Sequence, residues 1–361
     1  MLRKGKRLYQ FLGKIKDCAI RVSGHERNTN SGTAVVKESG VKQSIISLFL
    51  RNEGLFISGE DISGALGFSR ACAWKYINKL RDEGYLIEAV PHLGYRLKSA
   101  PDKLYGYAIA SGLNTRTIGK KSIFYYESTD STNDRAYELA ENGEPEGTVV
   151  IAETQTHGKG RVGRKWLSPK GGGIYMSLLL RPGVETDEIP AVTLIAAAAI
   201  VKAIKKTCGL EAGMKWPNDI LISGKKVCGI LTEIKAQPDR VDFLILGIGI
   251  NVNTPSGKLP PEGTSLRIES SSRVNRSALA RCMLEELENA YLRSREEGFI
   301  SLREECKAMS LVLGKRVKVV EHHRAVEGLA VDIDEKGALI IRTDDRALQR
   351  VFSGDVITVS R

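Results

Sequence analysis

Apolar positions recur along this chain with two periods, and the changes between them mark its parts. Between Val41 and Leu50, residues Ile45, Ile46, Leu48 and Phe49 stand at helical spacing. Ser58-Gly59-Glu60-Asp61-Ile62 carries a helix-start signature, with Ile62, Ala65 and Leu66 as its apolar face and Gly67-Phe68 as a turn. Ser69 then caps a longer helix that reaches about Glu83. Its Ala73, Ile77 and Leu80 face inward, and Arg70, Lys75 and Lys79 stay outside. After Gly84 the period shortens to two, so residues 85–90 and 94–97 read as strands joined by Pro91-His92-Leu93. Three helices and a hairpin in this order predict a winged helix-turn-helix over residues 41–98. Ser69, Arg70, Lys75 and Lys79 are then the candidate DNA contacts. The same fold also serves protein contacts.

Beyond a Ser99-Ala100-Pro101-Asp102 linker, strand and helix patterns alternate through residues 104–309. Strands are predicted over 148–154, 174–181, 216–222, 227–234 and 241–251, and helices over 132–142, 190–208 and 275–297. Residues 190–208 are the most apolar run, but Lys202, Lys205 and Lys206 fall within it, and it reads as a buried helix rather than a membrane span. Residues 310–361 alternate apolar and polar positions between turn signals at 334–337 and 353–355, which predicts a small all-β unit.

Composition narrows the classes. The formal charge of +11 is concentrated at the start, where residues 1–42 hold ten Lys or Arg against three Asp or Glu. Residues 42–100 carry a net charge of only about +2. Charge is therefore compatible with a DNA partner without identifying one. Residues 1–40 read as a basic, disordered extension without the apolar core of a secretory signal. Six scattered cysteines without C-x-x-C spacing fit reduced thiols in cytoplasm and argue against structural zinc. His322-His323 read as a solvated strand end, so no metal site is predicted among the protein's own side chains.

The chemistry concentrates in Gly158-Lys159-Gly160-Arg161-Val162-Gly163-Arg164-Lys165-Trp166, where glycines alternate with cations. Glycine admits close backbone approach, and interleaved Lys and Arg can surround phosphate oxygens. The segment has neither P-loop nor Rossmann spacing. Ordering it costs entropy and like charges repel, so it is expected to be mobile until an anion arrives. Further on, Lys215-Trp216-Pro217-Asn218-Asp219 leads into an apolar run. Ser223-Gly224-Lys225-Lys226 then turns the chain into Val227-Cys228-Gly229-Ile230-Leu231-Thr232-Glu233. This reads as a hairpin that gathers Asn218, Asp219 and Lys226 at one ribbon. Asp219 equally fits a turn cap, Ser131 a helix cap, Trp216 a core position, and Gly247 and Gly249 a strand twist.

Together with Asp130-Ser131-Thr132-Asn133 and Gly247-Ile248-Gly249-Ile250-Asn251-Val252-Asn253, these motifs resemble, in order, those of the biotin–protein ligase family. The winged helix upstream is similar to the bifunctional form, which also represses biotin genes. The resemblance implies an α+β multidomain fold: a winged helix-turn-helix, a central mixed α/β ligase domain of class II synthetase type, and a C-terminal SH3-like barrel. It implies biotin and ATP as substrates, with Mg²⁺ brought by the nucleotide. The partners it implies are a biotin carboxyl carrier protein that supplies the acceptor lysine, operator DNA, and a second copy of the chain when adenylate is bound.

By the same resemblance, Ser131, Thr132, Asn133, Gln155 and Gly158 line the biotin site, and Lys159, Gly160 and Arg161 cover carboxylate and phosphates. Arg164 and Trp166 serve the nucleotide, and Lys226 bridges biotin carboxylate and α-phosphate. Asn218, Asp219 and Asn251 hold phosphate, ribose or Mg²⁺, Gly229 and Gly249 allow close ligand approach, and Asp219 orients or deprotonates the incoming amine. Two positions depart from the family: Lys159 where Arg is usual, and Val162 where Arg or a similar residue is usual. Weaker retention of the adenylate is the expected consequence. The end of the last strand, near Val359, is assigned no role. A ligand-sensing repressor with a silent ligase domain, and a lipoate-type ligase, are the alternative functions.

Overall fold

The computed structural model describes residues 32–237, 240–321 and 324–359, and the expectations for residues 1–31 and for His322-His323 lie outside these. Helices α1 (Gly32–Arg51), α2 (Gly59–Leu66) and α3 (Arg70–Asp82) precede the hairpin of β1 (Leu86–Val90) and β2 (Gly94–Ser99). α1 starts upstream of the expected Val41, because residues 32–40 lack an apolar stripe to announce it. Ser58 and Ser69 cap α2 and α3 through their side chains, accepting from the amides of Asp61 and Cys72. Ile45, Phe49, Ile62, Ala73, Ile77, Leu80 and Ile87 fill the core of this unit.

The expected linker is more than a tether. Short helix α4 (Gly106–Ala110) places Tyr107 in the winged-helix core, where its hydroxyl donates to Glu83 Oε2 at 2.5 Å. Ile109 of the same helix joins the core of the central domain. Asp102 pairs with Arg276, which is fully buried, at 2.7 Å, and Arg276 also reaches Glu153 at 2.9 Å.

The central domain is built on a seven-stranded sheet. Its strands are β3 (Ile123–Tyr126), β4 (Val149–Ala152), β5 (Gly173–Leu180), β6 (Gly213–Lys215), β7 (Asp219–Ile222), β8 (Lys225–Gln237) and β9 (Arg240–Asn251). Their order is β3-β4-β5-β9-β8-β7-β6, and β3–β4 is the parallel pair. The strand expected over 216–222 begins only at Asp219, as β7, because Trp216-Pro217-Asn218 forms a turn in which Pro217 has no amide to give a ladder. That turn joins β7 to β6, a strand the sequence reading did not expect.

Helix α5 (Thr132–Glu141) covers one face, packing Ala136 and Ala140 on Phe124, Val150, Leu179, Phe243 and Ile245. The other face carries α6 (Ile189–Cys208) and, beyond the short α7 (Leu266–Ser270), α8 (Arg276–Glu297) and α9 (Ile300–Ala308). α6 is buried along most of its length, as its Leu194–Ile204 composition demands. Among the described residues no helix is long and apolar enough to cross a membrane.

The last unit is a five-stranded antiparallel sheet of β10 (Arg316–Glu321), β11 (Arg324–Ile333), β12 (Leu339–Arg342), β13 (Leu348–Val351) and β14 (Asp355–Thr358). It does not stand apart. Val317, Ala330, Ile333 and Leu339 belong to the same apolar core as α6, and the indole of Trp216 donates to Gly337 O at 3.0 Å. Trp216 is accordingly a core residue, 2% exposed.

Candidate active site

The alternation of β9 explains where the site lies. Ile248 and Ile250 point into the main core, so Gly247, Gly249 and Asn251 occupy the opposite face, which α5 covers only around Ile245 and Phe243. Past Ile245 on that face Gly247 lies against Asn133 of α5, and Tyr175 of β5 stands beside Gly249. Gly229 of β8 pairs with Gly249, and Ser177 of β5 pairs with Gly247. The result is a glycine-floored cleft of about 270 Å³. It is lined by Ser131, Thr132, Asn133, Gln155, Lys159, Gly160, Arg161, Arg164, Trp166, Asn218, Asp219, Lys226, Gly229, Gly249 and Asn251. Every candidate ligand residue reaches it except Gly158. A Cβ on Gly158 would meet Trp166 O at 2.5 Å, and Gly158 O accepts from Trp166 N at 2.8 Å. Gly158 therefore closes the neck of the loop, behind the cleft lining.

One wall is the start of α5. Gln155 Oε1 accepts from Thr132 N at 2.8 Å, and Asn133 Nδ2 donates to Glu233 Oε2 at 2.6 Å. Ser177 Oγ donates to Asn133 Oδ1 at 2.6 Å. These bonds fix the polar groups before any ligand is present, which lowers the cost of binding. Ser131 is the N-cap residue of α5 but makes no side-chain cap bond, so its buried hydroxyl is not spent on the helix.

The cationic loop is a closed hairpin, not an extended strap. Gly160 N donates to Arg164 O at 2.7 Å around a turn at Arg161–Gly163. Val162 sits in the left-handed region (φ 53°) with 80% of its surface exposed, an unfavourable place for a β-branched residue. Arg161 spans the cleft, donating through Nη1 to Asn218 Oδ1 and to Gly354 O, both at 3.1 Å. Burial pulls its guanidinium below the ordinary arginine value, with Asp355 and Asp219 acting the other way. Arg164 grips both oxygens of Asp355 at 2.6 Å. Lys159 pairs with Asp134 and Glu233. Burial opposes its charge, but these carboxylates outweigh it and raise its pKa.

At the floor, Lys226 Nζ lies 2.6 Å from Asp219 Oδ1 and 5.5 Å from the Trp166 ring centroid. The Trp166 Nε1 hydrogen is buried without a partner among the described residues, a donor available to a ligand. A Cβ on Gly249 would sit 2.5 Å from Trp166 Cε2. Gly249→Ala is therefore expected to push the indole off the floor and to weaken binding of the biotin and ATP that the sequence resemblance implies at least about tenfold with the melting temperature nearly unchanged. Calorimetric titration checks this, and unaltered affinities would refute it.

A family model described as the biotin/lipoate A/B protein ligase family matches residues 125–251. A biotin protein ligase C-terminal domain matches residues 312–358, and an HTH domain matches residues 41–96. The bifunctional ligase/repressor BirA of Bacillus spizizenii is 41% identical over 322 residues, covering 88% of this chain and 98% of that protein. The chain belongs to the biotin protein ligase family. BirA of Bacillus subtilis is 40% identical over the same length. Among solved structures, the biotin protein ligase from Aquifex aeolicus in complex with biotin and ATP superposes with a TM-score of 0.57 at 30% identity. It covers 65% of this chain, and the match takes in 97% of that one.

Several residues of this ligase-family cleft escaped the sequence reading. Asp355, at the start of β14, lines it, as do Leu259, Pro260, Glu262 and Gly263 of a flap at 254–265. Behind the lining, Gly354 O holds Arg161, and Glu233 and Ser177 hold Asn133. The flap pairs with Lys226, whose amide donates to Glu262 O at 2.8 Å and whose carbonyl accepts from Thr264 N at 2.8 Å. On the winged helix, Ser69 and Arg70 are exposed at the start of α3, and Arg70 is paired with Glu60. Lys75 is exposed, whereas Lys79 is half-buried against the Tyr76 ring.

Proposed function

We propose that the protein activates biotin with ATP to biotinyl-5′-AMP, transfers the biotinyl group to a lysine of a biotin carboxyl carrier protein, and represses transcription in response to biotin. The observation that carries the ligase reading is Lys226 beside Asp219 at the glycine floor, under a hairpin that contributes Lys159, Arg161 and Arg164. Biotin's carboxylate must attack the α-phosphorus of ATP, displacing pyrophosphate. Two anions have to be held together, so fixed cations and N–H donors serve better than an enzyme nucleophile. Lys226 bridges carboxylate and α-phosphate in this reading, and Arg161 and Arg164 hold phosphate oxygens.

Ser131, Thr132, Asn133 and Gln155 supply polar partners for the ureido ring. In the second step the carrier's lysine amine attacks the mixed anhydride, and AMP leaves. Asp219 orients that amine and takes its proton. Among the described residues no group of three or more His, Cys, Asp or Glu side chains could hold a metal ion. The oxygen donors Asp219, Asn218 and Asn251 suit a hydrated Mg²⁺ that arrives on the nucleotide, where it would neutralise phosphate charge.

The HTH domain supports operator binding. A dimer favoured by the adenylate would present two such domains to a palindromic site, and linkage then requires operator affinity to rise with adenylate. The test of the ligase reading is biotin-dependent pyrophosphate release followed by label transfer to a carrier domain. Transfer should vanish when the carrier's acceptor lysine is replaced. Release without transfer would support a sensor alone, and transfer of octanoate or lipoate would move the chain to the lipoate-type class.

Lys159 contributes a further expectation. Arginine there could take Asp134 and Glu233 with a planar fork, so Lys159→Arg should slow escape of the adenylate several-fold. Dissociation followed by rapid filtration that is no slower in the variant would contradict this.

A further inference from the structure

The winged helix carries a side chain that neither its core nor the ligase cleft uses. Trp74, the fifth residue of α3, is 58% exposed, while Ala73, Ile77 and Leu80 of the same helix are buried. An indole left in water forgoes the stabilisation that burial supplies, so its position calls for a partner. One helical turn away in either direction stand Arg70 and Asn78, and Lys75 is adjacent. Arg70 is held by Glu60 of α2, and Arg81 fixes Asn78 by donating to its Oδ1 at 3.1 Å. An exposed apolar group flanked by the cations Arg70 and Lys75 complements a polyanion that offers apolar spots, rather than an apolar groove or a neutral surface.

We propose that Trp74 is a specificity-determining residue that reads thymine methyl groups in the major groove of the operator. The inference rests on the DNA-binding reading above and adds to it a base and a chemical group. The second helix of such a motif lays its first turns against base edges, and Trp74 lies within them. In that groove the C5-methyl of thymine is the apolar feature that distinguishes an A·T pair. Arg70 and Lys75 lie where they can engage flanking phosphates or guanine. The operator half-site should accordingly hold thymines at the positions facing Trp74.

The experiment takes the full-length protein, with biotin and ATP, through selection from a random double-stranded DNA library. The selected duplex is then resynthesised with uracil in place of each thymine in turn, which removes only the methyl group. Affinity is expected to fall about fourfold per methyl at roughly one or two thymines of each half-site. Trp74→Ala should bind about tenfold more weakly and lose its response to those same substitutions. Wild-type protein indifferent to uracil, or a variant as sensitive as wild type, overturns the proposal and leaves DNA binding standing. Undiminished affinity of Trp74→Ala likewise overturns it and points the indole at a protein partner. Failure to select any duplex defeats the DNA-binding reading, and this inference with it.

Discussion

Lys226→Gln is expected to slow formation of biotinyl-adenylate by about a thousandfold, with a much smaller change in biotin affinity. In the proposed reading the Lys226 ammonium, 2.6 Å from Asp219 and above the Trp166 ring, lies where the two negatively charged reactants meet. Glutamine keeps N–H donors on a side chain one bond shorter but removes the charge, so the loss falls on the transition state, in which carboxylate and phosphate approach most closely. Single-turnover biotin-dependent ATP–pyrophosphate exchange reads the step directly. A rate within about tenfold of wild type would mean that the hairpin cations carry the charge instead. Lys226→Arg should fall between the two, because the charge survives while its position shifts.

Arg276→Ala is expected to destabilise the fold by about 3–5 kcal/mol, a drop of roughly 6–15 °C in melting temperature. Arg276 is fully buried and satisfied by Asp102, Glu153 and the Gly173 carbonyl. Truncating it leaves the buried Glu153 without its counter-charge and Asp102 with Arg273 alone, which costs far more than the pair contributes when intact. Asp102 lies at the junction with the winged helix, and Gly173 opens β5, so the loss should spread across both domains. Arg293→Ala provides the contrast, since its pair with Glu297 is exposed and worth little. Calorimetry in which the two variants melt alike would contradict this account.

The reach of the sequence can be judged from individual positions. Motifs whose partners lie close in the chain were readable: the helix cap at Ser69, the hairpin around Lys226 and the inward stripe of α3 follow from local periodicity and turn chemistry. The glycines of β9 were readable as places for close approach, but the approaching groups were not. Asn133 lies against Gly247 and the Trp166 indole against Gly249. The partners of the cationic loop were invisible because they are remote. Asp355 stands almost two hundred residues beyond Arg164, and no periodicity links a loop to the edge of a later sheet. Residues 254–265 were passed over for a similar reason, since their pairing with Lys226 exists only once β8 is placed. Lys159 stood out only against the family resemblance, and its two carboxylate partners required the fold.

Val162 joins a sequence departure to a backbone one. The position read from the resemblance as a departure from the family pattern also holds a β-branched residue in the left-handed region. The hairpin conformation is therefore imposed by its bonds to Asn218, Gly354 and Asp355 rather than by local preference. In the proposed reading, phosphate oxygens would compete with Asp355 and Gly354 for the guanidinium donors of Arg164 and Arg161.

The most direct measurement is to incubate the protein with biotin and ATP, pass it rapidly through a desalting column, and assay the protein fraction for bound biotinyl-AMP. Near-stoichiometric adenylate that moves onto a carrier lysine after all ATP has been removed is the predicted result. A protein fraction free of adenylate, from a preparation that biotinylates the carrier only while ATP remains, would contradict a sheltered intermediate.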